Sequence, residues 1–383
     1  MRFFHLSDLH LGLKLRERDL LADQAAILEQ ITQYAEAEQP DAIVIAGDLY
    51  DKTIPSAEAV ELFDHFVVGL TERVPETALL MISGNHDSAP RINLYRRLLE
   101  RQQVHMIGLP PQTEEEFLEQ VTLTDDFGPV HFYLLPFVKP SMVKRVVGTD
   151  ENGNNLSYDA TLHRLFEREQ FDTSERNVLV SHQFYVPKDV SADTVPRMDS
   201  EIRTIGNIDE VCADVLEPFD YAALGHIHKP MIVGKSNIRY CGTPLACSVS
   251  EAGQQKGIVC VNLNQKGTEP QIRVLPLHPM REVRILNGTL EEVLTQACED
   301  YVTVILTDPA DLNILDMQDR LHLAFPNLLE IRRDLPVRAA ALSVVDLPKE
   351  LDPFTLCCNF LGDPDDADQK LLKDILHTVQ GVI

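Results

Sequence analysis

No apolar run in this 383-residue chain approaches the roughly 20 residues that a membrane-spanning helix needs, so none is expected. No basic segment leads into an apolar one at the start, so no secretory leader is visible and a cytoplasmic protein is expected. Internal repeats, long low-complexity segments and Gly/Ser linkers are also missing. Cysteine is unpatterned: there are seven, scattered apart from Cys357-Cys358. An odd, scattered set argues against a disulfide framework and for buried free thiols in a reducing compartment. Positive charge is short as well. Against 60 Asp and Glu stand 34 Lys and Arg, for a net charge of −26. A uniformly acidic surface would repel nucleic acid, which binds through cations set against phosphates. The cations are local, however. Arg91, Arg96, Arg97 and Arg101 form one cluster, and Lys139, Lys144 and Arg145 another, while acidic residues gather at 114–116 and 363–368. The basic clusters read equally well as solvated faces or as a nucleic-acid stripe.

What the chain does have is a series of short motifs: Asp8-Leu9-His10, Gly47-Asp48-Leu49-Tyr50-Asp51, Gly84-Asn85-His86-Asp87, Ser181-His182 and Gly225-His226-Ile227-His228. Each follows an apolar run such as Ala42-Ile43-Val44-Ile45-Ala46 or Tyr221-Ala222-Ala223-Leu224. Such runs read as strands buried on both faces of a layered α/β fold. Functional groups in these folds gather beyond the carboxyl ends of strands. All the motifs are therefore expected to converge on one site.

The donors point to metal. Asp8, His10, Asp48, Asn85, His182, His226 and His228 offer carboxylate, imidazole and amide groups and no thiol. That set suits manganese, iron, magnesium or zinc. It exceeds one tetrahedral ion and fits a pair roughly 3.5–4 Å apart bridged by a carboxylate, the spacing used in phosphoester hydrolysis. Asp48, just past a buried strand, is the best bridge. Residues i and i+2 beyond a strand project the same way, which suits Asp-x-His and His-x-His. Singly, an Asp-x-His or Gly-His-x-His is a weak signal that a turn with a hydrogen-bonded histidine also explains. His5 is expected to pack in the first strand and not to ligate.

In this order the motifs resemble the calcineurin-like metallophosphoesterase superfamily. Ser7-Asp8-Leu9-His10-Leu11-Gly12, Ala46-Gly47-Asp48-Leu49-Tyr50-Asp51, Ala223-Leu224-Gly225-His226-Ile227-His228 and Tyr240-Cys241-Gly242-Thr243-Pro244 narrow the resemblance. They look like the nuclease subunits of bacterial nuclease–ATPase complexes, related to the eukaryotic double-strand-break repair nuclease. The resemblance implies one ion held by Asp8, His10, Asp48 and His228 and another by Asp48, Asn85, His182 and His226, most simply two Mn²⁺. It implies His86 as the general acid for the leaving 3′ oxygen and Asp51 as the group that orients His86, although some relatives carry His in place of Asp51. Asp87 either caps the helix that follows it or orients His86, and the cap is the preferred expectation.

The coarse pattern is strand, helix (19–38), strand, helix (56–73), strand, helix (91–101), then a strand-rich stretch over 104–137. A helix at 158–169 leads into the strand before His182, and successive strands fill 220–263. This predicts an α/β fold, a sheet sandwich flanked by helices. Residues 1–275 form the expected metallophosphoesterase nuclease domain. The pattern resets near 276. Strands at 281–285, 301–306 and 328–332 and helices at 289–299 and 316–324 predict a small α+β unit over 276–344, with Thr289 as N-cap and Glu292 three residues on. It resembles the family's capping domain. Residues 345–383 carry Phe354, Leu356, Phe360 and an apolar helix face over 368–379. This segment either packs back on the capping unit or docks on a partner, and the resemblance favours the coiled-coil base of an ATPase subunit.

The leading functional expectation is a manganese-dependent DNA nuclease. It would be a 3′-to-5′ double-strand exonuclease and single-strand endonuclease, working with an ATPase in DNA end, hairpin and replication or recombination processing. The rivals are a dinuclear phosphatase for small phosphoesters and a silent DNA-end scaffold. A homodimer is expected through the helices at 56–73 and 91–101, where Leu62 and Phe66, and Leu94 and Leu98, have i, i+4 spacing.

Overall fold

A computed structural model of the chain describes residues 1–333 apart from 189, 192–193, 202–208 and 309–313, together with 365, 368, 369 and 372. Met1–Asp334 makes one compact unit, and Leu335–Ile383 falls in a second. The segment from 345 onward, including nearly all of the expected helix at 368–379, lies outside the described residues.

Two six-stranded sheets stack face to face. In order across the first are Gln271–Pro276, Gly257–Asn262, Arg2–Leu6, Ala42–Ala46, Ala78–Ile82 and Val104–Ile107, the last four parallel. Across the second are Met231–Val233, Lys235–Tyr240, Tyr221–Leu224, Arg176–Ser181, Gly128–Leu135 and Glu119–Asp125. Alternation of side chains along each strand divides the core. Phe3, Val44, Ala46, Leu80 and Ile82 meet Phe132, Val178, Val180, Tyr221 and Ala223 between the sheets. Phe4, Leu6, Ile43 and Ile45 turn the other way, under the helices Leu21–Glu38 and Ala57–Arg73. The second sheet's outer face is covered by helix Tyr158–Arg168, which buries Leu162, Leu165 and Phe166. The expected sandwich flanked by helices is the fold observed.

Two helices begin where capping residues put them. Ser56 and Ser157 accept from Ala59 N and Ala160 N and start Ala57–Arg73 and Tyr158–Arg168. The first helix starts at Leu21, not 19, because Asp19 pairs with Lys14 in a short two-stranded turn. The helix expected at 91–101 is broken into Ala89–Ile92, Arg96–Leu99 and a 3₁₀ turn Glu100–Gln102. Tyr95, at φ 60°, interrupts it. Left-handed backbone cannot continue a right-handed helix. Leu94, Tyr95 and Leu98 are exposed, whereas Phe66 is buried in the chain's own core and Leu62 packs against that core.

Beyond Pro276 a three-stranded parallel sheet, Val283–Gly288, Tyr301–Leu306 and Leu328–Arg333, packs with helices Leu290–Leu294 and Ile314–Ala324. Its own apolar cluster includes Val293, Val302, Val304, Leu321 and Phe325. Thr289 and Glu292 form the expected capping box. That helix ends five residues short of 299: Thr295 Oγ1 donates back to Glu292 O at 2.7 Å, a bond that competes with helix continuation. Arg281 and Tyr301 both bond to the buried Asp23, and Arg16 pairs with Glu330, which ties this layer to the sandwich.

Candidate metal centre

The strands Arg2–Leu6, Ala42–Ala46 and Ala78–Ile82 end side by side, and the loops beyond them are laced together. Asp8 N donates to Gly47 O at 2.9 Å, His10 N to Asp48 O at 3.0 Å and Leu11 N to Leu49 O at 3.0 Å. From the second sheet, Gly225 N donates to Ser181 O at 3.0 Å. Asp8, His10, Asp48 and His226 all take positive φ, from 44° to 97°. Such residues cost of order 1–3 kcal/mol each and persist where a site over-determines them. Two glycines are required by close approach. A Cβ on Gly84 would lie 2.1 Å from Asp48 Oδ1, and one on Gly225 would lie 1.9 Å from Ala46 O.

All seven expected donors converge. His10 Nε2 and His228 Nε2 are 3.1 Å apart, and His228 Nε2 is 3.9 Å from Asp8 Oδ1. Asn85 Oδ1 lies 3.0 Å from His182 Nε2 and 2.9 Å from His226 Nδ1. Asp48 Oδ2 stands between these groups, 3.2 Å from His182 Nε2 and 3.7 Å from His10 Nε2. His10 Nδ1 is buried with no hydrogen-bond partner among the described residues. Nitrogen and oxygen acceptors facing one another away from water need a shared proton or a cation between them. The chemistry of this donor set therefore fits divalent metal, with Asp8, His10 and His228 in one cluster and Asp8, Asp48 and His182 in another.

Burial and neighbouring charge act against each other here. Burial lowers the His10 and His226 pKa well below the usual histidine range. It opposes protonation of His182 too, but the Asp48 and Asp8 carboxylates prevail and raise that imidazole to about 9. Burial likewise opposes ionisation of Asp48, yet the facing His182 and His10 imidazoles hold its carboxyl far below the carboxylate range. His5 is buried between Tyr221 OH and Leu224 O and is lowered to about 3 by burial, a core histidine outside the donor set.

His86 lies half-buried beside the centre, its ring 4.7 Å from that of His10. Its Nδ1 bonds to the backbone carbonyl of Asp51 at 2.9 Å, not to the Asp51 carboxylate. That carboxylate faces His10 Nδ1 instead, at 4.0 Å. A carbonyl only accepts, so His86 Nδ1 carries a proton and Nε2 is the atom left for chemistry. Asp87 differs from its expected role. The helix after it has Ser88 as N-cap, and Asp87 is buried. Asp87 accepts from Gly84 N at 2.9 Å, Leu49 N at 3.1 Å and Tyr50 N at 3.0 Å, joining two donor loops. Burial pushes its carboxyl up to about 6.

Several supporting residues carried no local signal. Gln24 bonds the carbonyl of His10, Glu201 accepts from His228 N, and Arg197 Nη2 lies 3.1 Å from His226 Nε2. Glu251 and Lys256 form a buried ion pair near His228. Only Tyr240-Cys241-Gly242-Thr243-Pro244 marked this region in sequence, and it named none of these partners.

Residues 1–230 match the family model described as calcineurin-like phosphoesterase. The chain belongs to the calcineurin-like phosphoesterase family. Phosphoester hydrolysis with divalent metal is this family's chemistry, and the donor clusters described above suit it. Residues 276–361 match a second model, the type 5 capsule protein repressor C-terminal domain. The chain is 31% identical to SbcD, the nuclease component of SbcCD, from Staphylococcus epidermidis over 372 residues, 94% of this chain and 92% of that protein. Among solved structures it is similar to GAP50, the anchor in the inner membrane complex of Plasmodium. That likeness has 11% identity and a TM-score of 0.41, and covers 86% of this chain and 96% of that one. A dimetal phosphatase from Danio rerio shares 13% identity at a TM-score of 0.37, over 72% of this chain and 98% of that one. No helix among the described residues is long and apolar enough to cross a membrane.

Proposed function

We propose that this phosphoesterase is a DNA nuclease, the catalytic component of an SbcCD-type complex, acting as a 3′-to-5′ double-strand exonuclease and single-strand endonuclease. The observation that carries the reading is the 31% identity to the SbcD nuclease, sustained over 94% of the chain. It extends through the added domain, beyond the phosphoesterase match that ends at residue 230. The domain reading is 1–275 nuclease, 276–344 capping and 345–383 partner-binding, with an SbcC-like ATPase as the partner. A homodimer through the exposed Leu94 and Leu98 and a cytoplasmic location complete it.

In this reading Asp8, His10, Asp48 and His228 would hold one ion, and Asp48, Asn85, His182 and His226 the other, with Mn²⁺ as the expected metal. Asp48 would serve both sets, since its Oδ2 faces one imidazole of each, His182 and His10. When bound, the ions supply Lewis-acid polarisation of the scissile phosphate and a nucleophile competent at neutral pH. The residues do the rest. As the imidazolium, His86 would give its Nε2 proton to the leaving 3′ oxygen and be left neutral with the Nδ1 proton held by the Asp51 carbonyl. Asp87 keeps the loops of Asp48 and His86 in register through its three backbone bonds. The net charge of −26 makes neutralisation at the centre more important for a polyanionic substrate.

The test is purified chain with Mn²⁺ on end-labelled duplex, on single-stranded DNA and on nitrophenyl phosphate. Cleavage of DNA with a much smaller rate on the monoester supports the nuclease. The reverse ranking would favour a small-phosphoester phosphatase, and metal binding without either activity would leave a scaffold.

A further inference from the structure

Beneath the proposed ligand His228 lies a chain of hydrogen bonds built from residues outside the metal motifs. The Glu251 side chain is fully buried, and its Oε2 accepts from Lys256 Nζ at 2.6 Å and from Thr243 Oγ1 at 2.9 Å. Its Oε1 accepts from Ser200 Oγ at 3.0 Å. Ser200 Oγ in turn lies 2.8 Å from His228 Nδ1, while Glu251 Oε1 is 3.5 Å from that nitrogen.

Cys247 N and Ser248 Oγ also donate to Glu251 Oε1, at 3.2 and 3.1 Å, and the chemistry of these groups sets the direction of the Ser200 proton. A carboxylate bonded to an ammonium offers only lone pairs, so the Ser200 hydroxyl proton points to Glu251. Ser200 then has no proton left for His228 and must accept from it. The donor is therefore His228 Nδ1–H, and a neutral imidazole protonated there is bare at Nε2. Nε2 is the atom that faces His10 Nε2 at 3.1 Å and Asp8 Oδ1 at 3.9 Å. The backbone is held separately, since His228 N donates to Glu201 Oε1 at 3.0 Å. The relay from Ser200 thus bears on the ring alone.

We propose that Glu251, paired with Lys256 and acting through Ser200, is a positioning residue that locks His228 in the tautomer with Nε2 bare toward Asp8 and His10. This gives Thr243, in the otherwise unassigned Tyr240–Pro244 motif, a role as a further donor that holds the Glu251 carboxylate. The purpose of the lock rests on the two-ion reading above; its geometry does not.

Two measurements on the full chain test it. Nitrogen NMR of histidine-labelled, metal-free protein, recorded at a pH high enough to leave the ring neutral and with His228 assigned through His228→Gln, reads the tautomer directly. The wild-type ring is expected to be protonated at Nδ1, and Ser200→Ala and Glu251→Ala to show mixed tautomers. Titration with Mn²⁺ reads the consequence. In both variants one of two ions is expected to bind on the order of 10–100-fold more weakly, as when a partner of a ligating histidine is lost, while the other is unchanged. Glu251→Gln keeps a carbonyl acceptor for Ser200 and should recover much of the affinity. A wild-type ring protonated at Nε2 would overturn the proposal. So would a Ser200→Ala variant with both tautomer and Mn²⁺ affinity unaltered. If Glu251→Ala fails to fold, Ser200→Ala still decides. If the wild type binds no Mn²⁺, the two-ion reading falls and the NMR result alone judges the relay.

Discussion

Replacing Asp87 tests whether the centre is held together by a residue that binds no metal. Its carboxylate serves three buried backbone N–H groups: Oδ2 takes Gly84 N and Leu49 N, and Oδ1 takes Tyr50 N. A hydrogen bond to a charged acceptor contributes about 1.5–3 kcal/mol, and orphaning its buried donor costs as much. Burial already pushes this carboxyl up to about 6, so its charge comes at a cost and the low end of the range applies. Asp87→Ala should then destabilise the metal-free chain by roughly 4 kcal/mol. Asp87→Asn, with its carbonyl in the Oδ2 position, keeps two bonds and sets an amide donor against Tyr50 N. Its cost should be about half as large. A helix cap would contribute only ~1 kcal/mol, so the two roles are well separated. Urea unfolding in chelator gives the numbers by linear extrapolation. A loss near 1 kcal/mol for the alanine variant, or an asparagine variant as damaged as the alanine one, would refute the three-bond account.

Four further outcomes are expected. His86→Ala should keep its metal content and lose about 10²–10⁴-fold in cleavage rate, as for a general acid, measured by metal analysis alongside nuclease assay. Asp48→Ala should instead lower occupancy of both ions, because a shared carboxylate is removed; retention of two ions would count against the bridge. Asp125→Asn should cost about 3 kcal/mol or more near neutral pH, since it unpairs the buried Arg176 guanidinium. Burial opposes ionisation of Asp125, but Arg176 holds its folded pKa below the ordinary carboxylate value. Its stabilisation is therefore present above about pH 4 and lost as pH falls through the depressed pKa, visible as a wild-type acid-unfolding slope that Asp125→Asn flattens. Deleting residues from Asp346 onward should abolish ATPase binding and ATP-dependent duplex cleavage while sparing Mn²⁺-dependent cleavage of single strands; unchanged affinity for the ATPase would be the contrary result.

The strands and the donor inventory were legible in the chain itself. A run such as Ala42–Ala46, buried at every residue and ending in Gly47-Asp48, is a local signal, and the strand-end rule then brings Asp8, Asp48, Asn85, His182 and His226 together. The added unit was equally readable, because Thr289 and Glu292 lie within one turn and cap it through adjacent atoms. Partner choice across the fold was not. Asp87 bonds to Leu49, 38 residues away, and its neighbour Ser88 starts the helix, so its short-range context resembled a cap. Glu251 and Ser200 are 51 residues apart, and neither carries a motif. The apolar spacing of Leu62 and Phe66 matched that of Leu94 and Leu98, yet Phe66 turns into the core and Leu94 and Leu98 turn to solvent. Periodicity tells that a face is apolar, not what covers it. Residue type and order were enough to say which groups could hold metal. Which buried carboxylates hold those groups in place was chosen by folding, because a hydrogen bond depends on proximity in space and not along the chain.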